Sequence, residues 1–145
     1  MKAENIKDGV KIFGIIGTAT CELTYSGEEY KIINKTLSDT YFNDRVSSVG
    51  IHAFNYCTSL KTVNFPVCSY ISQSAFANCT SLTSISFPVC SYISSTAFYN
   101  CSRLTSVNFP ACSYIDFHAF SNCTGLIEAN FPACTSIGGY AFYNC

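Results

Sequence analysis

The sequence predicts a solenoid of the α/β class, with short parallel strands and short helical turns stacked behind a β-rich N-terminal cap. Three observations predict it. From Ile51 the chain repeats with a period of 22 residues and no slippage. Each unit carries its apolar residues at the same spacing, so each buries an edge only against its neighbours. Charge divides the chain: residues 1–50 hold six of the eight Lys/Arg and seven of the nine Asp/Glu, and beyond them stand only Lys61, Arg103, Asp116 and Glu128.

The units align directly. Ile51–Ser72 reads IHAFNYCTSLKTVNFPVCSYIS, and Gln73–Ser94, Ser95–Asp116 and Phe117–Gly138 repeat it. A fifth copy begins GYAFYNC and stops at Cys145. This makes a half-repeat at 46–50, four full repeats at 51–138 and a partial one at 139–145. Leu60, Val63, Phe65 and Cys68 set the apolar spacing, which Leu82, Ile85, Phe87 and Cys90 repeat. Val63 and Phe65 lie two apart, so they share the inward face of a strand while Thr62 and Asn64 point out. Pro66, Pro88, Pro110 and Pro132 follow each such Phe and end the strand by removing a ladder donor. The segment from Ser72 to Cys79, with Ala75 and Phe76 inside it, reads as a short helical turn.

The order Ala53-Phe54, Cys57, Leu60, Val63, Pro66, with an apolar position closing the unit, resembles the BspA-like branch of leucine-rich repeats. The match runs from Val46 to Cys145. It implies a leucine-rich repeat solenoid used in recognition and adhesion by a bacterial, protozoan or phage-associated surface protein. A second cysteine column and the shortness of the array depart from the family pattern.

From Cys57 to Cys145 a cysteine falls every 11 residues. Stacked units would hold equivalent Cα atoms about 4.8 Å apart, within bridging distance. Equivalent side chains run parallel rather than converging, however, and nine cannot all pair. Metal sites favour close Cys pairs, which this chain lacks. The reading favoured over disulfides or soft metal is two columns of small buried hydrophobes, and no metal ligand or cofactor is expected.

Three surfaces are candidate sites. The outward strand positions Thr62, Asn64, Ser84, Ser86, Ser106, Asn108, Glu128 and Asn130 form the concave face, where repeat proteins commonly bind. Small polar side chains suit shallow hydrogen bonding to a protein or glycan. Tyr70, Tyr92 and Tyr114 share one column, either as an outward strip for sugar rings or a partner, or as a cover over the loop edge. Tyr140, Phe142 and Tyr143 lie on an uncharged last segment, expected to be adhesive and to support a homodimer or other assembly. Asn78-Cys79-Thr80, Asn100-Cys101-Ser102 and Asn122-Cys123-Thr124 match the glycosylation pattern, but Asn before a core Cys is better placed to hold turn backbone.

No catalytic set is expected. His52 and His118 share a column three rungs apart, roughly 14 Å at strand spacing, with no activated nucleophile beside them. Gly14–Thr18 lacks the third glycine of a dinucleotide loop. A net charge of −1 gives no drive toward nucleic acid, and no run reaches the roughly 18 apolar residues of a membrane helix. The cap, residues 1–45, contains Glu22–Tyr25 and Tyr30–Ile33 around Ser26-Gly27-Glu28-Glu29, a hairpin pattern. Its opening, Asn5 to Thr18, lacks signal-peptide features and resembles a segment of tail-associated proteins of phages and prophages. The expectation is a non-catalytic recognition module at an extracellular surface or on a virion, with a structural spacer joined through its C-terminal end as the alternative.

Overall fold

The structure, a computed structural model, describes strand residues 23–26, 29–32 and 39–42 and the stretch 44–145. The readings placed on residues 1–22, including the tail-protein segment, Gly14–Thr18 and Cys21, lie outside the described residues.

β1 (Leu23–Ser26) and β2 (Glu29–Ile32) pair antiparallel, with Tyr25 opposite Tyr30 and Ser26 opposite Glu29. Among the described residues all other pairing is parallel and links positions of successive rungs. β3 (Asp39–Phe42) runs beside β5 (Leu60–Asn64), which pairs with β7 (Ser84–Ser86). β9 (Ser106–Asn108) pairs with β11 (Glu128–Asn130) further along the same side. A second sheet stacks five two-residue strands: β4 (Ser48–Val49), β6 (Tyr70–Ile71), β8 (Tyr92–Ile93), β10 (Tyr114–Ile115) and β12 (Ser136–Ile137). Val49 stands opposite Ile71, and every later pair is offset by 22 residues.

The third side of each rung is not helical. No helix occurs among the described residues, which corrects the expected helical turn at Ser72–Cys79. Alternate amides there go different ways. Ala75, Ala77 and Cys79 donate to the carbonyls of Ser72, Ser74 and Phe76, three residues back, at 3.2 Å. Ser74, Phe76 and Asn78 donate instead to Ser95, Ala97 and Tyr99 of the next rung, at 3.1, 2.8 and 2.7 Å. Positive φ at Ser74 (53°) and Asn78 (62°) turns those amides along the stack. The reason is spacing on this side of the stack: a helix with its side chains is about 10–12 Å across, whereas the turn-side rings repeat at 4.8–5.3 Å. Consecutive β-turns fit that repeat and a helix does not.

Two phenylalanine columns fill the interior. Phe54, Phe76, Phe98, Phe120 and Phe142, from the turn side, stack with centroids 4.8, 5.2, 5.1 and 5.3 Å apart. Phe65, Phe87, Phe109 and Phe131, from the strand ends, form the second column and meet the first at tilted or edge-on angles. Each such ring pair adds about 0.5–1.5 kcal/mol beyond area burial. Leu60, Leu82 and Leu104 and Ile71, Ile93 and Ile115 are fully buried around them. Ala75, Ala97 and Ala119 are also buried: a larger side chain there would hold the turn off the rings.

Candidate functional site

The strand face is built by the alternation that buries Val63 and Val107 and turns their neighbours outward. Thr62 pairs with Ser84 and Asn64 with Ser86; Ser106 pairs with Glu128 and Asn108 with Asn130. Ser84, Ser86, Ser106, Asn108, Glu128 and Asn130 are exposed, whereas Thr62 and Asn64, next to β3, are half-buried. The oxygens Thr62 Oγ1 and Asn64 Oδ1 are shut off from solvent without a hydrogen-bond partner among the described residues. The open part of the face thus runs from Ser84 to Asn130. Asn130 Nδ2 donates to Asn108 Oδ1 at 3.0 Å, which fixes the amides in register.

The tyrosine column is a face-to-face stack. Tyr70 and Tyr92 stack at 5.0 Å and 12°, and Tyr92 and Tyr114 at 4.9 Å and 8°. Their inner ring faces are occupied by one another. The Tyr92 hydroxyl donates to Asp116 Oδ2 at 3.3 Å. Burial, then the Asp116 charge, pushes that phenol above its ordinary pKa.

Two further side-chain ladders run along the stack. Ser69, Ser91, Ser113 and Thr135 each donate a side-chain hydroxyl to the carbonyl of residue i−22, at 3.1–3.2 Å. Asn100 Nδ2 donates to Asn78 Oδ1 at 3.0 Å, and Asn144 to Asn122 at 2.9 Å. The three Asn of the glycosylation pattern are half-buried, and these two bonds run along their column. Asn at period 22 was a legible signal, because Asn tolerates the left-handed backbone this position requires. His52 is exposed and contacts Asn55 at 3.2 Å, whereas His118 stacks on Tyr140 at 5.2 Å, so the two histidines share no site.

Residues 28–145 match the BspA-type leucine-rich repeat region in six copies. The chain belongs to the BspA-type leucine-rich repeat family. Among solved structures, the leucine-rich repeat protein of T. pallidum is similar at TM-score 0.69 and 28% identity, over 87% of this chain and 64% of that one. A leucine-rich repeat protein from Bacteroides ovatus shares the fold at TM-score 0.59 and 23% identity, over 77% and 39%. A leucine-rich cell surface protein from Faecalibacterium prausnitzii does so at TM-score 0.50 and 24% identity, over 77% and 38%. The chain therefore spans less than two thirds of these relatives. No curated protein matches it.

In this BspA-type array all nine array cysteines are thiols. Cys79, Cys101, Cys123 and Cys145 donate to the carbonyls of Phe54, Phe76, Phe98 and Phe120 at 3.1–3.2 Å. Cys68, Cys90, Cys112 and Cys134 donate to the carbonyl two residues on at 3.3 Å. Each column therefore satisfies backbone as well as filling space. The last rung differs from those before it. Ile137 is 58% exposed, whereas Ile71, Ile93 and Ile115 of the same column are fully buried. Tyr140 and Tyr143 are exposed and meet edge-on at 5.9 Å, while Phe142 is half-buried on Phe120.

Proposed function

We propose that the array is a non-catalytic recognition module that presents its concave strand face to a protein or glycan, displayed at a cell surface or on a phage particle. The observation that carries this reading is the open strip from Ser84 to Asn130. It is exposed, hydroxyl- and amide-bearing, and held in register by a close-packed interior. Many shallow hydrogen bonds along such a strip add up without a deep pocket. Small side chains also lose little rotamer entropy when a ligand covers them. The resemblance of the opening segment to tail-associated proteins is what supports a particle as the place of display.

The variant Ser84→Arg/Ser86→Arg/Asn108→Arg tests it. All three positions are exposed, so the fold should be retained. Binding of the labelled chain to intact epithelial and bacterial cells should fall at least tenfold. A correctly folded variant that binds these cells as the wild type does would sink the reading.

The exposure of Ile137, whose equivalents in earlier rungs are fully buried, supports a second reading, association of the 145-residue chain through its last rung at Tyr140, Phe142 and Tyr143. Light scattering over a concentration series should then show a dimer or larger species, and Ile137→Lys/Tyr143→Lys should return a monomer. A wild-type monomer at every concentration would remove this reading.

A further inference from the structure

The tyrosine stack stops at both ends while the strand ladder beneath it continues. Ser48 pairs in register with Tyr70, and Tyr114 with Ser136. Two residues on, Ser72, Ser94 and Asp116 of the tyrosine rungs give way to Gly50 and Gly138. Each flanking rung thus reads Ser-x-Gly, and the ring that would continue the column is missing. At Gly138 a Cβ would lie 2.6 Å from the Phe117 amide nitrogen, so packing admits only glycine there. Tyr92 is covered on both faces. Tyr70 is 40% exposed beside the exposed Ser48, and Ser136, beside Tyr114, is exposed as well. A ring placed one rung beyond either end would sit about 5 Å from a tyrosine, within the normal stacking range.

The surroundings choose the kind of ring. One end carries the exposed Ser47 and Ser48 and the other the exposed Ser136, while the Asp116 carboxylate, held by the Tyr92 hydroxyl and the Phe117 amide, lies on the rung of Tyr114. Beyond Arg103 the only charges in the chain are Asp116 and Glu128, both acidic. One aromatic face beside exposed serines suits a ring that has an apolar C–H face and hydroxyls at its edge. An acidic ring would meet Asp116 unfavourably.

We propose that the two ends of the tyrosine stack, over Ser48–Gly50 and over Ser136–Gly138, each bind a neutral pyranose ring of a glycan. This site goes beyond the strand face and rests on the same reading of the array as a recognition module. The test titrates the 145-residue chain with maltohexaose, cellohexaose and mannohexaose while following tyrosine ring signals by NMR. At least one sugar should shift the rings of Tyr70 and Tyr114 more than that of Tyr92. The variant Tyr70→Ser/Tyr92→Ser/Tyr114→Ser removes every ring of the column and puts there the residue that the flanking rungs already carry, so it should fold and bind that sugar at least tenfold more weakly. The strand-face arginine variant should bind it unchanged. If none of the three sugars shifts these signals, or the variant without the ring column binds as the wild type does, the proposal is overturned. Loss of cell binding in the arginine variant alongside either result would leave the strand-face reading standing alone.

Discussion

Replacing Phe98 with alanine is expected to destabilise the array by about 3–5 kcal/mol, a large share of the 5–15 kcal/mol typical of a domain. Phe98 is fully buried, stacks on Phe76 and Phe120, and meets Phe87 and Phe109 at steep angles. Removing it therefore severs the turn-side column at its centre and leaves a cavity bounded by four rings. The rungs on either side cannot close it, because ladder hydrogen bonds such as Phe98 N to Ala119 O at 2.8 Å set their separation. In a repeat array stability is roughly a sum of unit and nearest-neighbour terms, so losing an interior ring weakens two interfaces. Phe142→Ala at the half-buried end of the column touches one interface and should cost about half as much or less. Urea titrations followed by circular dichroism give both values. Equal losses at the two positions would mean that the phenylalanine columns are not what couples the rungs.

The second large effect is alkaline unfolding. Burial pushes the Cys68 thiol from the ordinary 9.0 to about 11, Cys90 to about 12 and Cys112 to about 11. At Cys90 the proximity of Cys68 adds to the shift. Burial likewise raises Cys101 well above the ordinary value, and Tyr92 moves in the same direction. In every case the folded state holds its proton more tightly than the unfolded state. The stability these groups confer is therefore fully present below about pH 9. It is lost as pH climbs toward 11–12, because only the unfolded chain ionises in that window. Each thiol contributes a slope of about 1.4 kcal/mol per pH unit there, so the three together give roughly 4 kcal/mol per unit. The urea midpoint should be nearly flat from pH 7 to 8.5 and fall steeply above pH 9. Cys68→Ala/Cys90→Ala/Cys112→Ala should start lower and fall less steeply. A wild-type midpoint that stays level to pH 10.5, or the same slope in the triple variant, would contradict the assignment.

Much of this architecture was legible before any coordinates. A 22-residue period with apolar residues at Leu60, Val63, Phe65 and Cys68 leaves one way to bury them all, which is to stack each unit on the next. Burial of all four follows, as does the end of each long strand before proline. The alternation along the strand also identified the outward face, although it did not show that Thr62 and Asn64 would be half-buried beside β3.

What only the tertiary structure decided lies on the turn side and in the short second sheet. Asn78, Asn100 and Asn122 hint at left-handed backbone, but in the companion column Ser74 and Thr96 have no such preference and only His118 shares it. A β-branched threonine at a φ of 54° is locally unfavourable. It holds that conformation because its amide then reaches Phe117 O at 3.0 Å in the next rung. A local reading favours a helical turn around Ala75-Phe76, since it cannot see that partner. Two-residue strands such as Tyr70–Ile71 are likewise too short to show a period and exist only because the neighbouring rung supplies the other half of each bond. Sequence determined which residues must be inside and at what interval. The spacing between rungs, near 4.8 Å and too narrow for a helix, decided the backbone that carries them.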